Sequence, residues 1–349
     1  MASAAIHVDQ VRVPWRKEAI FKYTIILSLP HPNRHMADKT LGIVIPVHNE
    51  QEMLPRLVER LMHLRAALPA LVEVIFVDDG SKDASFALLR EMVEQQPGWR
   101  LLSFSRNFGQ QAAMLAGIQH ATTDAVVVMD ADLQDPPEII PQMVALWQQG
   151  WDVVYGVRRS RDGENWLKKL TAKVFYRLLA RMSDIEIPVD AGDFRLMDRK
   201  VVRVLSQLGE QRPYLRGLSA WAGFRQIGLE FDRAPRADGV TNYDFSRMLS
   251  LSIDAMVGFS SAPLRLVTRL GVFTVIASLL YCLVVLVLWL AGINVPGWTS
   301  MMLVILFLGS VQLISLGVIG EYVATLMIEA KGRPRFILAY DSAKADKPE

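Results

Sequence analysis

The stretch VVVMDADLQDPPE, residues Val126 to Glu138, runs from an apolar segment directly into a group of carboxylates and then a double proline. Its first four residues are all apolar, which is typical of a strand buried on both faces of a parallel sheet. Proline cannot donate to the hydrogen-bond ladder of such a strand. The stretch therefore predicts an abrupt strand end, at which Asp130 and Asp132 share one exposed edge.

The two aspartates allow two interpretations. Carboxylates this close repel each other unless a proton or a cation compensates their charge, and their hard oxygen atoms suit Mg²⁺ or Mn²⁺. In the first interpretation, Asp130 and Asp132 hold a divalent cation that bridges to a phosphate. In the second, the segment is an Asp-rich turn in which Asp135 caps a helix that begins near Pro137. The pattern alone leaves both open.

Strand and helix patterns alternate regularly on both sides of this stretch. The predicted strands are Leu41–Val47, Val72–Val77, Arg100–Ser105, Ala125–Met129 and Asp152–Val157, and the predicted helices are Glu50–Ala67, Ala84–Gln95, Gln110–His120 and Pro137–Gln149. This alternation predicts an α/β domain with a mostly parallel, doubly wound sheet. Ligands of such domains bind outside the carboxyl ends of the strands.

Polar residues collect at the carboxyl ends of the first four predicted strands. They form the motifs PVHNE (Pro46–Glu50), DDGS (Asp78–Ser81), SRN (Ser105–Asn107) and DAD (Asp130–Asp132). Acids, amides and an arginine at successive strand ends predict a pocket for a polar, phosphorylated ligand. We expect Asp78 and Asp79 to accept hydrogen bonds from a base and a ribose. No GxGxxG follows the first strand and no GxxxxGK[ST] occurs, which disfavours dinucleotide oxidoreductases and P-loop ATPases.

The composition excludes two further classes of protein. A net charge of +2 over 349 residues argues against a dedicated nucleic-acid binder, which would present a basic face. Cys282 is the only cysteine, so neither a disulfide framework nor a thiolate metal site is available.

Charged residues are absent from Leu270 to Gly320. At about 20 apolar residues per crossing, this run predicts two transmembrane helices, Leu270–Leu290 and Met301–Gly320 or slightly beyond, with a turn at Gly292–Trp298. The alternative, a buried soluble hairpin, needs a larger surrounding core than the rest of the chain provides. Basic residues flank both spans, and by the positive-inside rule both flanks are cytoplasmic. These residues are Arg247, Arg265, Arg269, Lys331, Arg333 and Arg335.

Five ordered motifs carry a resemblance to a known family. They are IVIPVHNEQEMLP (Ile43–Pro55), VIFVDDGSKDAS (Val74–Ser85), SRNFGQQAAMLAG (Ser105–Gly117), MDADLQDPPE (Met129–Glu138) and DAGDFRLMDRK (Asp190–Lys200). Together they resemble the family 2 glycosyltransferases of the GT-A fold. Within that family they are most similar to the membrane-anchored polyprenyl-phosphate glycosyltransferases, among them dolichyl-phosphate mannose synthase and the bactoprenol glucosyltransferases. The resemblance covers about Leu41 to Leu338.

The resemblance implies a role for each matching residue. The donor nucleotide sugar would contact Pro46, Asn49, Glu50, Asp78, Asp79, Arg106, Asp130 and Gln134, and the metal ion would bind Asp130 and Asp132. Asp193 would face the anomeric carbon as the catalytic residue. We expect its main role to be positioning rather than proton removal, by fixing Arg195 or another cation against the acceptor phosphate.

The acceptor loop departs from the family pattern. The family's R-x-x-G-x-S-K-Y loop corresponds to RADGVTNY, Arg236 to Tyr243, in which Thr241 and Asn242 replace Ser and Lys. The missing lysine leaves room for other cations to bind the acceptor phosphate, and the candidates are Arg212, Arg216 and Arg233. An ordinary glycine turn before a helix is the alternative interpretation of this loop.

The implied reaction is the inverting transfer of a hexose to polyprenyl (undecaprenyl) phosphate, with Mg²⁺ or Mn²⁺ as cofactor. UDP-glucose is the expected donor, with UDP-galactose, UDP-N-acetylhexosamines and GDP-mannose as alternatives. A different class of alternative is a non-catalytic membrane subunit that binds a sugar nucleotide. A processive polysaccharide synthase is disfavoured because the chain has no Q-x-x-R-W motif.

These observations predict five segments in a multi-pass protein of the bacterial inner membrane, with the catalytic domain and both termini cytoplasmic. They are a poorly ordered extension (1–38), a GT-A catalytic domain (39–235), the acceptor loop with juxtamembrane helices (236–268), a transmembrane hairpin (269–330) and a tail (331–349). The juxtamembrane helices are expected to lie on the lipid bilayer, or alternatively to pack on the catalytic domain. Polar and small residues in the second span predict a helix partner, and the resemblance implies a homo-oligomer, a tetramer. These residues are Ser310, Gln312, Ser315 and Gly317.

Overall fold

The computed structural model describes residues 39–68, 70–158, 191–211, 213–231, 262–292 and 297–345. The strands are β1 (Leu41–Val47), β2 (Leu71–Asp78), β3 (Trp99–Phe104), β4 (Ala125–Val128), β5 (Val153–Arg158), β6 (Ala191–Asp198), β7 (Gln226–Phe231) and β8 (Leu338–Asp341). The helices are α1 (Leu54–Ala67), α2 (Ser85–Glu94), α3 (Gln110–His120), α4 (Ile140–Gln148), α5 (Arg199–Gln207), α6 (Leu215–Trp221), α7 (Ala262–Leu290), α8 (Trp298–Ala330) and α9 (Ser342–Ala345). A short 3-10 helix, Pro137–Ile139, leads into α4.

Some of the predicted features lie outside the described residues. These are the extension 1–38, the acceptor loop Arg236–Tyr243 with Thr241, most of the juxtamembrane segment, and two of the candidate phosphate ligands, Arg212 and Arg233.

The predicted mostly parallel sheet is confirmed, with antiparallel additions. Within the described residues, eight strands follow the order β7-β5-β6-β4-β1-β2-β3-β8. β1 pairs in parallel with β2 and β4, and β2 pairs in parallel with β3. β6 runs antiparallel to β4 and β5, and β8 runs antiparallel to β3. The amino end of β6 therefore reaches the edge at which the parallel strands end, the edge where ligands of such sheets bind.

The sheet is covered by helices on both faces, as its largely apolar central strands require. One core cluster packs α1, α2 and α4 against alternate residues of β1 such as Ile43 and Ile45. The other packs α3, α5 and α6 against the opposite face, which includes Val44. Because side chains alternate along a strand, β1 supplies both cores and is central in the sheet.

The antiparallel direction of β6 decides where Asp193 lies. β4 and β6 are in register with Val128 opposite Arg195. The strand pairing ends there, and Asp130 and Asp193 lie two residues beyond it in each chain direction, near enough for the charge of Asp193 to act on Asp130. Residues that are 63 positions apart in the sequence thus lie near each other at the carboxyl edge of the sheet.

The helices α7 and α8 form the C-terminal hairpin. The segments Pro263–Leu288 and Val304–Ala330 are long and apolar enough to cross a membrane, and their large apolar side chains are exposed. Both helices are longer than the predicted spans. α7 begins at Ala262, where the following proline suits a first turn, and α8 continues about 10 residues beyond Gly320, or about 15 Å.

After α8 the chain returns to the sheet. β8 adds an outer strand beside β3, and Arg100 donates to both carboxylate oxygens of Asp341 at 2.9 and 2.8 Å. These residues belong to the predicted tail. In the fold they cover a sheet edge that β3 would otherwise expose.

Candidate active site

The turns after β1 and β2 are tied together by hydrogen bonds. Asn49 lies in the left-handed region at a φ of 56°, which asparagine tolerates better than most residues. Its Oδ1 accepts a hydrogen bond from the Lys82 N–H at 2.8 Å, and its own N–H donates to Ser81 Oγ at 3.0 Å. The Glu50 N–H donates to Ser85 Oγ at 2.9 Å. The PVHNE and DDGS motifs therefore form one braced corner of the edge.

The aspartates of the DDGS motif are buried, with exposures of 1% for Asp78 and 2% for Asp79. Asp78 accepts a hydrogen bond from Ser103 Oγ at 2.7 Å. Asp79 accepts hydrogen bonds from the N–H groups of Phe108 at 2.6 Å and Gly109 at 2.9 Å. Burial raises the pKa of Asp79, and these two bonds oppose that effect. Asp78 is thus tied to β3 and Asp79 to the turn after it, in addition to any contact they make with a nucleoside.

A close backbone contact joins the DDGS turn to the turn after β3. Gly80 has a φ of +63°, and a Cβ at this position would lie 2.7 Å from the Asn107 nitrogen and 2.9 Å from the Arg106 Cα. Arg106 itself is exposed, and its guanidinium lies over the Phe108 ring at 3.9 Å from the centroid. Only glycine allows both this φ and this approach.

Asp130 lies in the most acidic part of the edge. Burial, together with the charges of Asp135, Asp193 and Asp132, raises the pKa of Asp130 to about 7. Gln110 Nε2 donates to its Oδ1 at 2.6 Å and partly offsets this rise. Such a concentration of carboxylates favours a bound cation.

The DAD turn is tight and carries backbone strain. Leu133 has a φ of 56°, an uncommon value for a bulky residue and one associated with functional turns. The N–H of Gln134 donates to Asp132 Oδ1 at 3.1 Å, and the Gln134 side chain is buried. The following 3-10 helix has Pro136 at its cap and no side-chain cap bond, so Asp135 does not cap it.

Asp193 is held by Arg216, which extends from α6. Arg216 Nε donates to Asp193 Oδ1 at 2.7 Å and Nη2 donates to Oδ2 at 2.8 Å. Gln111 Nε2 reaches the same Oδ2 at 3.3 Å, while Gln111 Oε1 accepts from the Leu215 N–H at 2.9 Å. Burial alone would raise the pKa of Asp193, but the hydrogen bond and charge of Arg216 hold it below its ordinary value.

Arg195 is buried beneath this pair, with 2% exposure. Its guanidinium donates to the Gly192 carbonyl at 2.9 Å, to the Leu215 carbonyl at 3.3 Å and to Ser219 Oγ. Burial lowers the pKa of Arg195 to about 10, although the nearby charge of Asp193 opposes the shift. The cation in contact with Asp193 is therefore Arg216. Arg195 instead binds backbone carbonyls of β6 and α6.

The donor set fits a metal that binds partly through its substrate. No group of three or more His, Cys, Asp or Glu side chains within the described residues could hold a metal ion by itself. Mg²⁺ and Mn²⁺ commonly use one or two carboxylates together with substrate phosphates and water. Burial and the charges of Asp135, Asp193 and Asp132 raise the pKa of Asp130, and a cation at this position would offset that repulsion.

The fold brings most of the predicted site residues to one edge. Pro46 lies within β1 opposite Val77 and Asp78 ends β2, whereas Arg195 is buried within β6. The other described residues occupy the turns that follow the parallel strands or the start of β6: Asn49, Glu50, Asp79, Arg106, Asp130, Asp132, Gln134 and Asp193. Sequence reasoning offered Arg216 only as a phosphate ligand and missed Gln110 and Gln111. The two glutamines are the first residues of α3, directly after the SRNFG turn. Their position beside a motif of the site is the sequence feature that could have identified them.

Two parts of the chain match known protein families in sequence. The profile of "Glycosyl transferase family 2" matches residues 42–205, and that of "GtrB C-terminal hairpin" matches residues 262–326. An uncharacterized glycosyltransferase of Synechocystis is 45% identical over 86% of this chain and 94% of its own length. The chain belongs to glycosyl transferase family 2. It is therefore a glycosyltransferase with a GT-A fold, followed by a hairpin of two apolar helices.

Two further relatives carry more specific names. A bactoprenol glucosyl transferase of Shigella phage SfV is 38% identical over 87% of this chain and 99% of its own length. A prophage bactoprenol glucosyl transferase homolog of Escherichia coli is 36% identical over 85% of this chain and 98% of its own length. The family 2 enzyme is thus similar along nearly the whole length of both relatives.

A solved structure resembles the catalytic domain more distantly. Glucosyl-3-phosphoglycerate synthase from Mycobacterium tuberculosis, in complex with Mn²⁺ and UDP-glucose, has a TM-score of 0.42 at 16% identity, covering 67% of this chain and 86% of that one. The assignment to the family rests on the sequence relatives and not on this likeness.

Proposed function

We propose that this enzyme transfers a hexose, glucose from UDP-glucose, to the phosphate of a polyprenyl phosphate at the cytoplasmic face of the bacterial inner membrane. The observation that carries the proposal is the neighbouring pair Asp130 and Asp193 at the carboxyl edge, one surrounded by carboxylates and the other paired with Arg216. Asp130 is therefore suited to a cation, whereas the charge of Asp193 is already neutralised by an arginine.

The acceptor and the sugar are supported by the relatives named bactoprenol glucosyl transferases. The hairpin supports a lipid acceptor independently, since its two helices are long and apolar enough to cross a bilayer. A polyprenyl phosphate keeps its chain in the bilayer and its phosphate at the interface. An enzyme anchored there meets the phosphate directly.

The donor side consists of the braced corner and the DAD turn. We assign the nucleoside to Pro46, Asn49, Glu50, Asp78 and Asp79, the phosphates to Arg106, and the sugar to Gln134. Asp130 and Asp132 would hold Mg²⁺ or Mn²⁺. When bound, the ion stabilises the charge that develops on the departing nucleoside diphosphate.

The reaction is a single displacement. An oxygen of the acceptor phosphate forms a bond to the anomeric carbon, while the bond from that carbon to the donor's β-phosphate oxygen breaks and its electron pair leaves with UDP. Attack opposite the leaving group inverts the anomeric centre. We assign Asp193 and Arg216 to the acceptor side of the site. The acceptor loop residues Arg236, Thr241 and Tyr243 are assigned to the acceptor phosphate.

The test is transfer by the full chain, purified in detergent with undecaprenyl phosphate and either Mg²⁺ or Mn²⁺. UDP-glucose, UDP-galactose, UDP-N-acetylglucosamine and GDP-mannose are supplied one at a time, and the lipid-linked sugar is measured. We expect transfer from UDP-glucose, with the inverted anomer in the NMR spectrum of the product. Transfer from another donor alone would contradict the donor assignment. Absence of transfer from all four would favour a non-catalytic sugar-nucleotide-binding subunit.

A further inference from the structure

The segment that follows α8 contacts the catalytic domain at successive points. We call residues 335–341 the C-terminal strap. Arg335 donates a hydrogen bond to the Leu208 carbonyl. The Ile337 carbonyl accepts from the Ser105 N–H at 3.0 Å, and β8 then pairs with β3. The strap therefore lies beside the turn that follows β3.

Phe336 is the strap residue that packs under this turn. Its ring stacks on that of Phe104, with centroids 5.0 Å apart and planes 13° apart. Phe104 is buried at the end of β3 and meets the Phe108 ring edge-on, at a centroid distance of 5.6 Å. Stacked and edge-on aromatic pairs are favourable contacts with a defined geometry. The three rings form a continuous column from the strap to the turn.

The far end of this column is the nucleotide side of the candidate active site. The N–H groups of Phe108 and Gly109 donate to the Asp79 carboxylate. Arg106 covers the outer face of the Phe108 ring, and the same turn meets Gly80 backbone to backbone. Phe108 is therefore in contact with both Asp79 and Arg106.

We propose that Phe336 is a positioning residue for the nucleotide donor, acting through Phe104 and Phe108 on the turn 105–109. This inference rests on the proposed function, because it assumes that the corner around Asp79 binds a nucleoside diphosphate. A turn that is ordered before binding spares the ligand the entropic cost of ordering it. The aromatic column supplies that order from a segment that lies outside the sugar-nucleotide motifs.

The experiment compares UDP binding by the full chain and two variants in detergent, using isothermal titration calorimetry in the presence of Mn²⁺. Phe336→Ala removes the base of the column. Asp341→Asn is the matched control, because it breaks the ion pair with Arg100 at the other end of the strap. Thermal unfolding of each protein measures the loss of stability separately from the loss of binding.

We expect Phe336→Ala to weaken UDP binding about fivefold, equivalent to about 1 kcal/mol, and to raise KM for the donor sugar nucleotide similarly. kcat at saturating donor and KM for the polyprenyl phosphate should stay within about twofold of wild type. Asp341→Asn should lower Tm yet bind UDP as wild type does. Phe336→Tyr keeps the ring and should restore UDP affinity. If Phe336→Ala does not fold, Phe336→Leu provides the same comparison.

Unchanged UDP affinity in a folded Phe336→Ala or Phe336→Leu variant would overturn the proposal. Equal weakening by Asp341→Asn would also overturn it, since the effect would then follow stability alone. A wild-type chain that binds no UDP would contradict the proposed donor and this inference together. Normal wild-type binding with an unaffected variant contradicts only the role of Phe336.

Discussion

Single residues set the charge balance at the carboxyl edge of the sheet. Arg216 compensates Asp193 through two hydrogen bonds, whereas burial and neighbouring carboxylates raise the pKa of Asp130. Two neighbouring aspartates at this edge therefore have opposite environments. Pairs of acids with divergent environments are a common sign of divided roles in an active site.

Asp132→Asn should abolish most of the transfer while the protein remains folded and membrane-bound. The substitution removes a proposed metal ligand at a half-buried turn and leaves the core intact. By analogy with other electrostatic groups, we expect kcat to fall on the order of 10² to 10³, measured as initial rates over titrations of Mg²⁺ and Mn²⁺. Glu94→Gln, an exposed carboxylate on α2, is the control and should keep wild-type rates. Near-normal turnover of Asp132→Asn in either metal would refute the assignment.

Asp193→Asn tests whether this residue is a base or a positioning group. The second pKa of a phosphate monoester is about 6, so the acceptor is largely ionised at neutral pH. Asp193 is a weak base as well, because Arg216 holds its pKa below the ordinary value. We expect the variant to be slower at every pH, with a flat ratio of mutant to wild-type kcat from about pH 6 to 9.

The measurement for Asp193→Asn is made at saturating lipid, donor and metal. If Asp193 acted as a base, it would be needed less as the acceptor phosphate lost its own proton. The activity of Asp193→Asn would then recover at high pH. A ratio that climbs tenfold or more between pH 6 and 9 would show that proton abstraction contributes at the level usual for general-base catalysis. Such a result would contradict the positioning role.

At the scale of the elements, two turns depend on each other. The turns after β2 and β3 meet at Gly80, where a side chain would collide with the backbone of Arg106 and Asn107. Gly80→Ala should therefore weaken UDP binding at least tenfold and destabilise the fold by about 1–3 kcal/mol. Gly223→Ala is the control, because Gly223 has a similar φ of +71° but a Cβ there would make only an ordinary contact, 3.9 Å from the Trp221 carbonyl oxygen. Binding is measured by calorimetry and stability by thermal unfolding. Equal effects of the two substitutions on UDP affinity would contradict the contact.

The elements that the sequence predicted well are those with strong local patterns. The predicted helix Gln110–His120 and the predicted strand Leu41–Val47 coincide with α3 and β1. Both are nearly continuous apolar or small-residue runs between polar turns. The predicted α1 began at Glu50, but the helix starts at Leu54, because the preceding residues form the turn that holds Ser85 and Lys82.

The elements that the sequence did not predict depend on tertiary partners. β6 carries the buried charged residues Asp193 and Arg195, so its sequence does not resemble that of a buried strand. These charges are compensated by Arg216 and by backbone carbonyls, which only the folded structure brings near. β8 has four residues and pairs with β3, more than 200 positions earlier in the chain. The predicted site was incomplete for the same reason, since only the antiparallel pairing of β6 with β4 brings Asp193 near Asp130.

At the scale of the whole molecule, a junction connects the hairpin to the catalytic domain. The Gln211 N–H donates to Glu329 Oε1 at 2.8 Å, and Arg335 donates to the Leu208 carbonyl. Glu210 lies within this junction and is half-buried. Burial raises the pKa of Glu210, the charge of Glu329 raises it further, and Arg335 opposes both. The negative charge of Glu210 is therefore unfavourable in the folded protein.

Glu210→Gln should stabilise the protein, and only at higher pH. A carboxyl whose folded pKa exceeds its unfolded value of about 4.3 binds its proton more tightly when folded. Stability then decreases as pH rises from about 4.3 through the folded pKa. We expect the variant to unfold about 1–3 °C higher than wild type at pH 8, and at the same temperature at pH 4, by thermal unfolding in detergent. Glu94→Gln should show no such difference. A lower Tm of Glu210→Gln at pH 8, or an equal change at both pH values, would mean that the glutamate stabilises the junction by contacts other than its charge.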